Sequence, residues 1–183
     1  DTNGDEADEL IVASFTWLLD CEGSYRYDRR EDPLGTIMDS CSNEGGRAFI
    51  YNGREGGLNP DHIATMRGDG STDHFARSMI TSGDFNGDGH NDLLVGIPRD
   101  DDGGTDAGSL RLFPGSSIGL SGSAVTTIHG EAAEESLGLY TYRFGAGDLD
   151  GDGRDDLVVG IPTDDTTGTD SGKIIVYMGT GAF

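Results

Sequence analysis

Two acidic loops repeat the same spacing of oxygen-bearing side chains. GDFNGDGHNDLLVGIP begins at Gly83 and GDLDGDGRDDLVVGIP begins at Gly147, and both fit the pattern D-x-[DN]-x-D-x-x-x-D. Ca²⁺ takes about six to eight oxygen ligands, and a chain that curls around the ion can aim every second residue inward. Mg²⁺ suits the pattern less well, because it demands near-octahedral geometry and gives up water reluctantly. The spacing therefore predicts calcium sites in both loops.

Each loop offers side-chain oxygens at positions 1, 3, 5 and 9 and a backbone carbonyl at position 7, with glycine at position 6. The start of the chain, DTNGDEADELIVA, repeats this spacing but has Glu6 where the other loops have Gly89 and Gly153. Its sharp turn therefore lacks the glycine that makes such a turn easy. We predict about two to three Ca²⁺ ions, at most one for each loop. The predicted ligands are Asp1, Asn3, Asp5, Glu9 and the Ala7 carbonyl in the first loop, Asp84, Asn86, Asp88, Asp92 and the His90 carbonyl in the second, and Asp148, Asp150, Asp152, Asp156 and the Arg154 carbonyl in the third.

Two other interpretations of these loops are a helical calcium motif and a plain solvated turn. An EF-hand needs a bidentate Glu at loop position 12 and flanking helices. Position 12 is Val95 or Val159 here, inside an apolar run that is followed by Pro98 or Pro162, which excludes helical calcium motifs of this kind. Acidic, glycine-rich segments can also be plain solvated turns. Three aligned copies favour metal binding, because carboxylates held together without a cation repel one another.

The loops belong to a longer repeated unit. GSLRLFPGSSIGL at Gly108 and GKIIVYMGTGAF at Gly172 are 64 residues apart, the same separation as Asp84 and Asp148. Short β-branched runs bounded by Gly, Asp and Pro are typical of strands. In the middle copy they predict strands at 75–83, 92–97, 109–113 and 124–129. Four strands in about 60 residues, repeated in tandem, are typical of β-propeller blades, so the predicted fold is all-β with antiparallel four-stranded blades and no helix.

About three blades fit into the 183 residues. Blade 1 is predicted at 1–68 with an insertion at 16–43, blade 2 at 69–130, and blade 3, which is incomplete, at 131–183. A propeller needs about four to eight blades. We therefore expect a partial propeller that is completed in cis by the rest of a longer chain, or in trans by other copies of this one.

The units resemble FG-GAP repeats, the blades of integrin α-subunit-like β-propellers. The "GAP" of the motif corresponds to residues 96–98 and 160–162, and the "FG" to Phe75-Ala76 and Leu137-Gly138. The sequence departs from the motif at Ala76, at Leu137, by two extra residues before Asp148, and at 13–15 in the first copy. The resemblance implies that each acidic loop joins the first and second strands of a blade. It also implies that calcium stiffens one face of the propeller and has no catalytic role.

The insertion at 16–43 contains both cysteines and an Arg- and Tyr-rich stretch, YRYDRRED. Two cysteines in an acidic, calcium-dependent protein suggest an oxidising compartment and a Cys21–Cys41 disulfide, with free buried thiols as the alternative. The insertion interrupts the connection between a second and a third strand, so it emerges opposite the calcium loops. Tyr and Arg are favoured at interfaces, although a tolerated surface decoration is the alternative. The predicted recognition patch is Tyr25, Arg26, Tyr27, Arg29 and Arg30.

Function is constrained by charge and by missing patterns. A formal net charge of −22 disfavours nucleic acid as a partner and favours cations. No stretch is long enough to insert into a membrane, and the four histidines show no catalytic or zinc spacing. We expect an extracellular or cell-surface adhesion or protein-interaction module that is not an enzyme. One alternative is a lectin-like propeller, which should carry an exposed Trp or Tyr in a sugar pocket of each blade, whereas Trp17 is the only Trp in the chain. The other alternative is a non-catalytic accessory domain of a larger secreted enzyme.

The hairpins at 99–108 and 163–172 carry further acidic residues. They can bind another cation, face a basic partner or form solvated turns. The residues concerned are Asp100, Asp101, Asp102, Asp164 and Asp165.

Overall fold

The computed structural model describes residues 10–14, 46–54, 57–61, 64–68, 73–76, 78–139, 144–162, 164–169 and 171–180. All regular secondary structure within these ranges is β-strand, and no helix there has the length and apolarity needed to cross a membrane. The strands are β1 (Leu10–Ser14), β2 (Arg47–Tyr51), β3 (Gly53–Arg54), β4 (Gly57–Leu58), β5 (Ala64–Arg67), β6 (Ser78–Gly83), β7 (Asp92–Ile97), β8 (Ser109–Phe113), β9 (Thr126–His129), β10 (Phe144–Gly147), β11 (Asp156–Ile161) and β12 (Lys173–Tyr177).

The strands form three antiparallel sheets that follow one another along the chain. The first has the order β1-β2-β5, the second β6-β7-β8-β9 and the third β10-β11-β12, and a short hairpin, β3-β4, connects β2 to β5 along the chain. Within each sheet the strands pair in the order in which they occur along the chain, as expected of propeller blades. The predicted all-β fold of blade-like sheets is confirmed. The exact limits of the three blades remain predictions.

Two of the four strands predicted in the middle copy have the bounds that the sequence indicated, namely β7 and β8. The predicted start of β6 at residue 75 was wrong, because Phe75 and Ala76 form a turn in which Ala76 has φ 56°. A left-handed residue cannot continue a strand. The last strand begins at Thr126, two residues later than predicted.

The middle sheet is buried on both faces. All six residues of β7 are buried, and successive side chains of a strand point to opposite faces. Leu93, Val95 and Ile97 lie in one apolar cluster with residues of the first sheet, whereas Leu94 lies in a second cluster with residues of the third. The first cluster also contains Ala48, Ile50 and Met66, and the second also contains Leu157, Val159 and Ile161. Apolar burial between successive sheets therefore holds the blades together.

The outer face of the third sheet carries apolar side chains without such a cover. Ile174 is 74% exposed, whereas its counterpart one repeat earlier, Leu110, is 0% exposed. Val176 is likewise exposed and its counterpart Leu112 is buried. The repeat thus places the same type of residue in two different environments.

The joints between blades share one geometry. Gly108 forms an isolated parallel bridge with Leu137, and Gly46 approaches Phe75 at the preceding joint. Leu137 is buried as Phe75 is, and Gly138 has φ 90° where Ala76 has φ 56°. The structure therefore aligns Leu137-Gly138 with Phe75-Ala76, as the sequence comparison proposed.

Candidate metal centres

The third acidic loop gathers three carboxylates at one point. One oxygen each from Asp148, Asp150 and Asp156 lies within 4.8 Å of the others. Asp156 is buried at the start of β11, while Asp148 and Asp150 are exposed in the loop. An all-oxygen donor set of this charge fits a hard cation such as Ca²⁺.

Both described loops wrap around their first aspartate in the same way. In the third loop, Asp148 Oδ1 accepts hydrogen bonds from the N–H groups of Gly151 (2.6 Å) and Asp152 (3.1 Å), and Oδ2 accepts one from Gly153 (3.0 Å). In the second loop, the corresponding bonds to Asp84 come from the N–H groups of Gly87 (2.8 Å), Asp88 (3.0 Å) and Gly89 (2.9 Å). The position-6 glycines have φ 87° and 88°, which is the turn for which a glycine was expected.

Position 9 anchors each loop to the sheet from the inside. Asp156 accepts hydrogen bonds from Gly179 N–H at Oδ1 (2.8 Å) and from Leu149 N–H at Oδ2 (2.9 Å). Asp92 accepts the equivalent bond from Gly115 N–H at Oδ1 (2.9 Å), but its buried Oδ2 accepts no hydrogen bond of good geometry among the described residues, although the Phe85 N–H interacts with this carboxylate.

Burial raises the pKa of Asp92, and the nearby charges of Asp88 and Asp84 add to the rise, although the N–H groups of Gly115 and Phe85 oppose it. A buried carboxylate oxygen without a hydrogen bond of good geometry is costly. A bound cation would remove that cost, so the second loop also fits a metal.

Positions 3 and 5 are tied to the loop backbone. Asn86 Oδ1 accepts the Asp88 N–H at 2.8 Å, and Asp150 Oδ1 accepts the Asp152 N–H at 3.0 Å. The two loops differ at the fifth position, where Asp152 forms a 2.6 Å ion pair with Nη1 of Arg154. This ion pair engages the carboxylate of Asp152, which is not among the three that meet.

One residue that the sequence did not single out joins the two loops. Asp155 Oδ2 accepts the N–H of Asp84 at 2.9 Å, and the Asp155 N–H donates to the Asp84 carbonyl at 2.9 Å. Position 8 of the pattern is Asn91 in the second loop and Asp155 in the third, so no shared signal marked it. Only the stacking of the sheets brings these residues together.

The acidic hairpins lie at the opposite end of the sheets from these loops. Asp100, Asp102 and His129 also bring ligand atoms within 4.8 Å of one another. The buried Asp100 carboxylate, however, already accepts bonds from Ser109 Oγ (2.7 Å) and the Asp102 N–H (2.9 Å), and lies 3.7 Å from Nη2 of Arg111. These contacts favour a hairpin-shaping role for Asp100.

Asp164 occupies the same place in the third sheet as Asp100 in the second. Its carboxylate accepts the N–H of Thr166 at 3.0 Å and lies 3.0 Å from Nζ of Lys173. Nζ of Lys173 is also 3.1 Å from Glu135 and 3.4 Å from Glu131. Partial burial by itself lowers the pKa of Lys173, but the hydrogen bonds and charges of Asp164 and Glu135 outweigh it and raise the pKa well above its ordinary value. This ammonium therefore joins the third sheet to the segment that precedes it.

Three groups of predicted residues lie outside the described part of the chain. The first group is the ligand set of the first loop, the second is the cysteine pair, and the third is the Arg- and Tyr-rich patch of the insertion, with Trp17 nearby in sequence. These predictions concern Asp1, Asn3, Asp5, Ala7, Glu9, Cys21, Cys41, Tyr25, Arg26, Tyr27, Arg29 and Arg30.

The repeats that carry these loops match a known family model and known proteins. The FG-GAP repeat family model matches residues 80–113 and 140–177. Integrin alpha-5 of Xenopus laevis is 27% identical over 186 residues, which cover 97% of this chain and 15% of that protein. Integrin alpha-7 of Homo sapiens is 29% identical over 171 residues, covering 90% and 12%. Integrin alpha pat-2 of Caenorhabditis briggsae is 31% identical over 138 residues, covering 66% and 10%. The chain thus spans no more than 15% of the length of these relatives.

Proposed function

Because the chain contains FG-GAP repeats and is similar to integrin α subunits, we propose that it is a calcium-stabilised segment of an integrin-like propeller. The family match confirms the resemblance that the repeated loops suggested. The proposed activity is non-catalytic adhesion or protein interaction at the cell surface or outside the cell. It is supported by relatives named as integrin α subunits across 90% or more of the chain.

The observation that carries the calcium proposal is the meeting of Asp148, Asp150 and Asp156 within 4.8 Å. The buried oxygen of Asp92 that accepts no hydrogen bond of good geometry among the described residues supports the equivalent site in the second loop. When bound, Ca²⁺ would neutralise these carboxylates and cross-link each loop to the first residue of the following strand. The proposed ligands are those that the spacing predicted, including the carbonyls of His90 and Arg154, with a third ion in the loop at 1–9.

The proposed partner surface is the end of the sheets opposite the calcium loops. The register of β1 with β2 pairs Ser14 with Arg47, so the chain between these two residues starts and finishes at that end of the first sheet. Loops on a rigid scaffold commonly carry binding residues. We therefore propose that Tyr25, Arg26, Tyr27, Arg29 and Arg30 contact a protein partner, and that Cys21 and Cys41 form a disulfide that closes the insertion.

The proposed cofactor is tested by calcium titration of the full chain with calorimetry, together with light scattering and thermal unfolding in calcium and in chelator. We expect about two to three ions per chain and a large loss of thermal stability in chelator. The mass in calcium reports whether copies of the chain assemble. No heat of binding at millimolar calcium would overturn the site assignments and leave the loops as solvated turns.

The proposed interaction is tested with the chain coated on a surface and with cells as the probe. We expect cells to attach in calcium and to detach in chelator. Attachment that is lost after protease treatment of the cells supports a protein partner, whereas attachment that is lost only after glycosidase treatment favours the lectin-like alternative. A coat of Arg26→Ala/Arg29→Ala/Arg30→Ala that retains cells as well as the wild type would contradict the assigned patch.

A further inference from the structure

Asp155 lies between the two described calcium loops and belongs to neither set of proposed ligands. It follows Arg154, whose carbonyl is a proposed ligand, and precedes the ligand Asp156. Its Oδ2 accepts the N–H of Asp84 at 2.9 Å, and its own N–H donates to the Asp84 carbonyl at 2.9 Å. Position 8 of the third loop therefore holds the main chain of position 1 of the second loop from both sides.

Two glycines, one at the end of β6 and one in the second loop, let the third loop approach this closely. A methyl group built on Gly83 would lie 2.6 Å from Asp155 Oδ2, which is too near for any residue but glycine without a shift. A methyl group on Gly87 would lie 3.0 Å from Cγ of Arg154, so the Arg154 side chain lies against the second loop. The two loops thus share one packed surface as well as two hydrogen bonds.

We propose that Asp155 is a positioning residue that couples the two calcium loops, so that a cation in one raises the affinity of the other. The inference rests on the calcium sites proposed above. A cation held by the Arg154 carbonyl and by Asp156 would fix both neighbours of Asp155, and Asp155 would in turn fix Asp84. The second loop is then already partly ordered when it binds its own ion, so that binding event loses less conformational entropy. By linkage, the effect runs equally in the other direction.

The coupling is measured by NMR titration of the full chain with CaCl₂, because glycine amides report each loop separately. Gly87 and Gly89 follow the second loop, and Gly151 and Gly153 follow the third. Asp150→Ala weakens the third loop without touching the second. In the wild-type background it should lower the calcium affinity of the second loop by about fivefold or more, a typical size for allosteric coupling. Asn86→Ala should have the reciprocal effect on the third loop.

The role of Asp155 is isolated by two substitutions at that position. Asp155→Ala removes the acceptor for the Asp84 N–H, so the effect of Asp150→Ala on the second loop should shrink below about twofold, well under typical coupling. Asp155→Asn removes the charge but keeps an amide oxygen that can accept the same bond, so the coupling should survive. Gly83→Ala, which displaces the Asp155 carboxylate, provides an independent variant and should also uncouple the loops.

The outcomes separate the two proposals. Loops that titrate independently in the wild type, or an Asp155→Ala chain that keeps the wild-type coupling factor, would overturn the role of Asp155 while leaving the calcium sites in place. Glycine signals that do not move up to millimolar calcium would overturn the calcium sites themselves, and this inference with them. Loss of coupling in Asp155→Asn would show that charge, and not the hydrogen bond, joins the loops, and would overturn the positioning role.

Discussion

At the scale of single residues, aspartate side chains play three different roles in this chain. Asp148 organises loop backbone, Asp92 and Asp156 are buried anchors, and Asp100 shapes a hairpin at the other end of the sheet. The spacing of the loops predicted Asp148, Asp92 and Asp156 as calcium ligands, because ligand positions within one loop are local, but it did not predict the backbone contacts that they make. It could not predict Asp155, because its contact with Asp84 spans 71 residues and exists only once the sheets pack.

The buried Asp92 should make stability in chelator depend on pH in an unusual direction. Its folded-state pKa is raised above 3.8, so between the two values the folded chain holds a proton that the unfolded chain has released. Stability contributed by this residue therefore falls as pH rises through that window. Asp92→Asn should flatten this fall in chelator and lower stability in calcium.

Urea unfolding at pH values from about 4 to 7 measures both effects, with Asp61→Asn as a control for the loss of one exposed charge. Asp92→Asn and wild-type chains with equal pH dependence in chelator would contradict the assigned burial cost.

At the scale of elements, the sequence located best the strands whose apolar runs are bounded on both sides by clear turn residues. β7 and β8 lie between glycine- and acid-rich turns, and their bounds were predicted correctly. The start of β6 was missed because Ala76 adopts a left-handed conformation that its residue type does not signal. Gly138 takes the corresponding conformation at the next joint, where it packs against β7 and β8.

Gly138→Ala should be strongly destabilising even though alanine occupies the equivalent position 76. A methyl group at Gly138 would lie 2.8 Å from Gly96 Cα and 3.0 Å from the Ser109 carbonyl. Left-handed strain and overpacking together cost about 2–5 kcal/mol. Gly145→Ala is the matched control, since a methyl group there meets nothing within 4 Å, and it should change the free energy of unfolding by less than about 0.5 kcal/mol. Equal effects in chemical denaturation would show that the joint is not tightly packed.

At the scale of the whole molecule, the sheets behave as a stack in which each interior face is covered by a neighbour. The sequence predicted this stack from the 64-residue repeat, because a repeated unit with two apolar faces must bury them against its neighbours. It could not predict which copy of a repeated position is exposed. Ile174 and Leu110 occupy the same position in the unit, and only the arrangement of the sheets distinguishes them.

This difference gives a matched pair of substitutions. Leu110→Ala should lower the free energy of unfolding by about 2–5 kcal/mol, because it leaves a cavity between the second and third sheets. Ile174→Ala should change it by less than about 0.5 kcal/mol, because that side chain is mostly in solvent. Chemical denaturation at several protein concentrations measures both. A large, concentration-dependent cost for Ile174→Ala would instead mean that another copy of the chain covers the outer face.

The rate at which the ion-paired Lys173, at the start of β12, is acylated can report local opening of the structure. Lys173 is the only lysine in the chain, and the carboxylates of Asp164, Glu135 and Glu131 surround its Nζ within 3.4 Å. Acylating reagents attack only the neutral amine, which these carboxylates disfavour. Acylation of this one side chain is therefore slow while the third sheet stays attached to the preceding segment, and it speeds up whenever the two separate. The mass shift of the peptide that contains Lys173 thus reports how often the third sheet separates from the segment at 131–135.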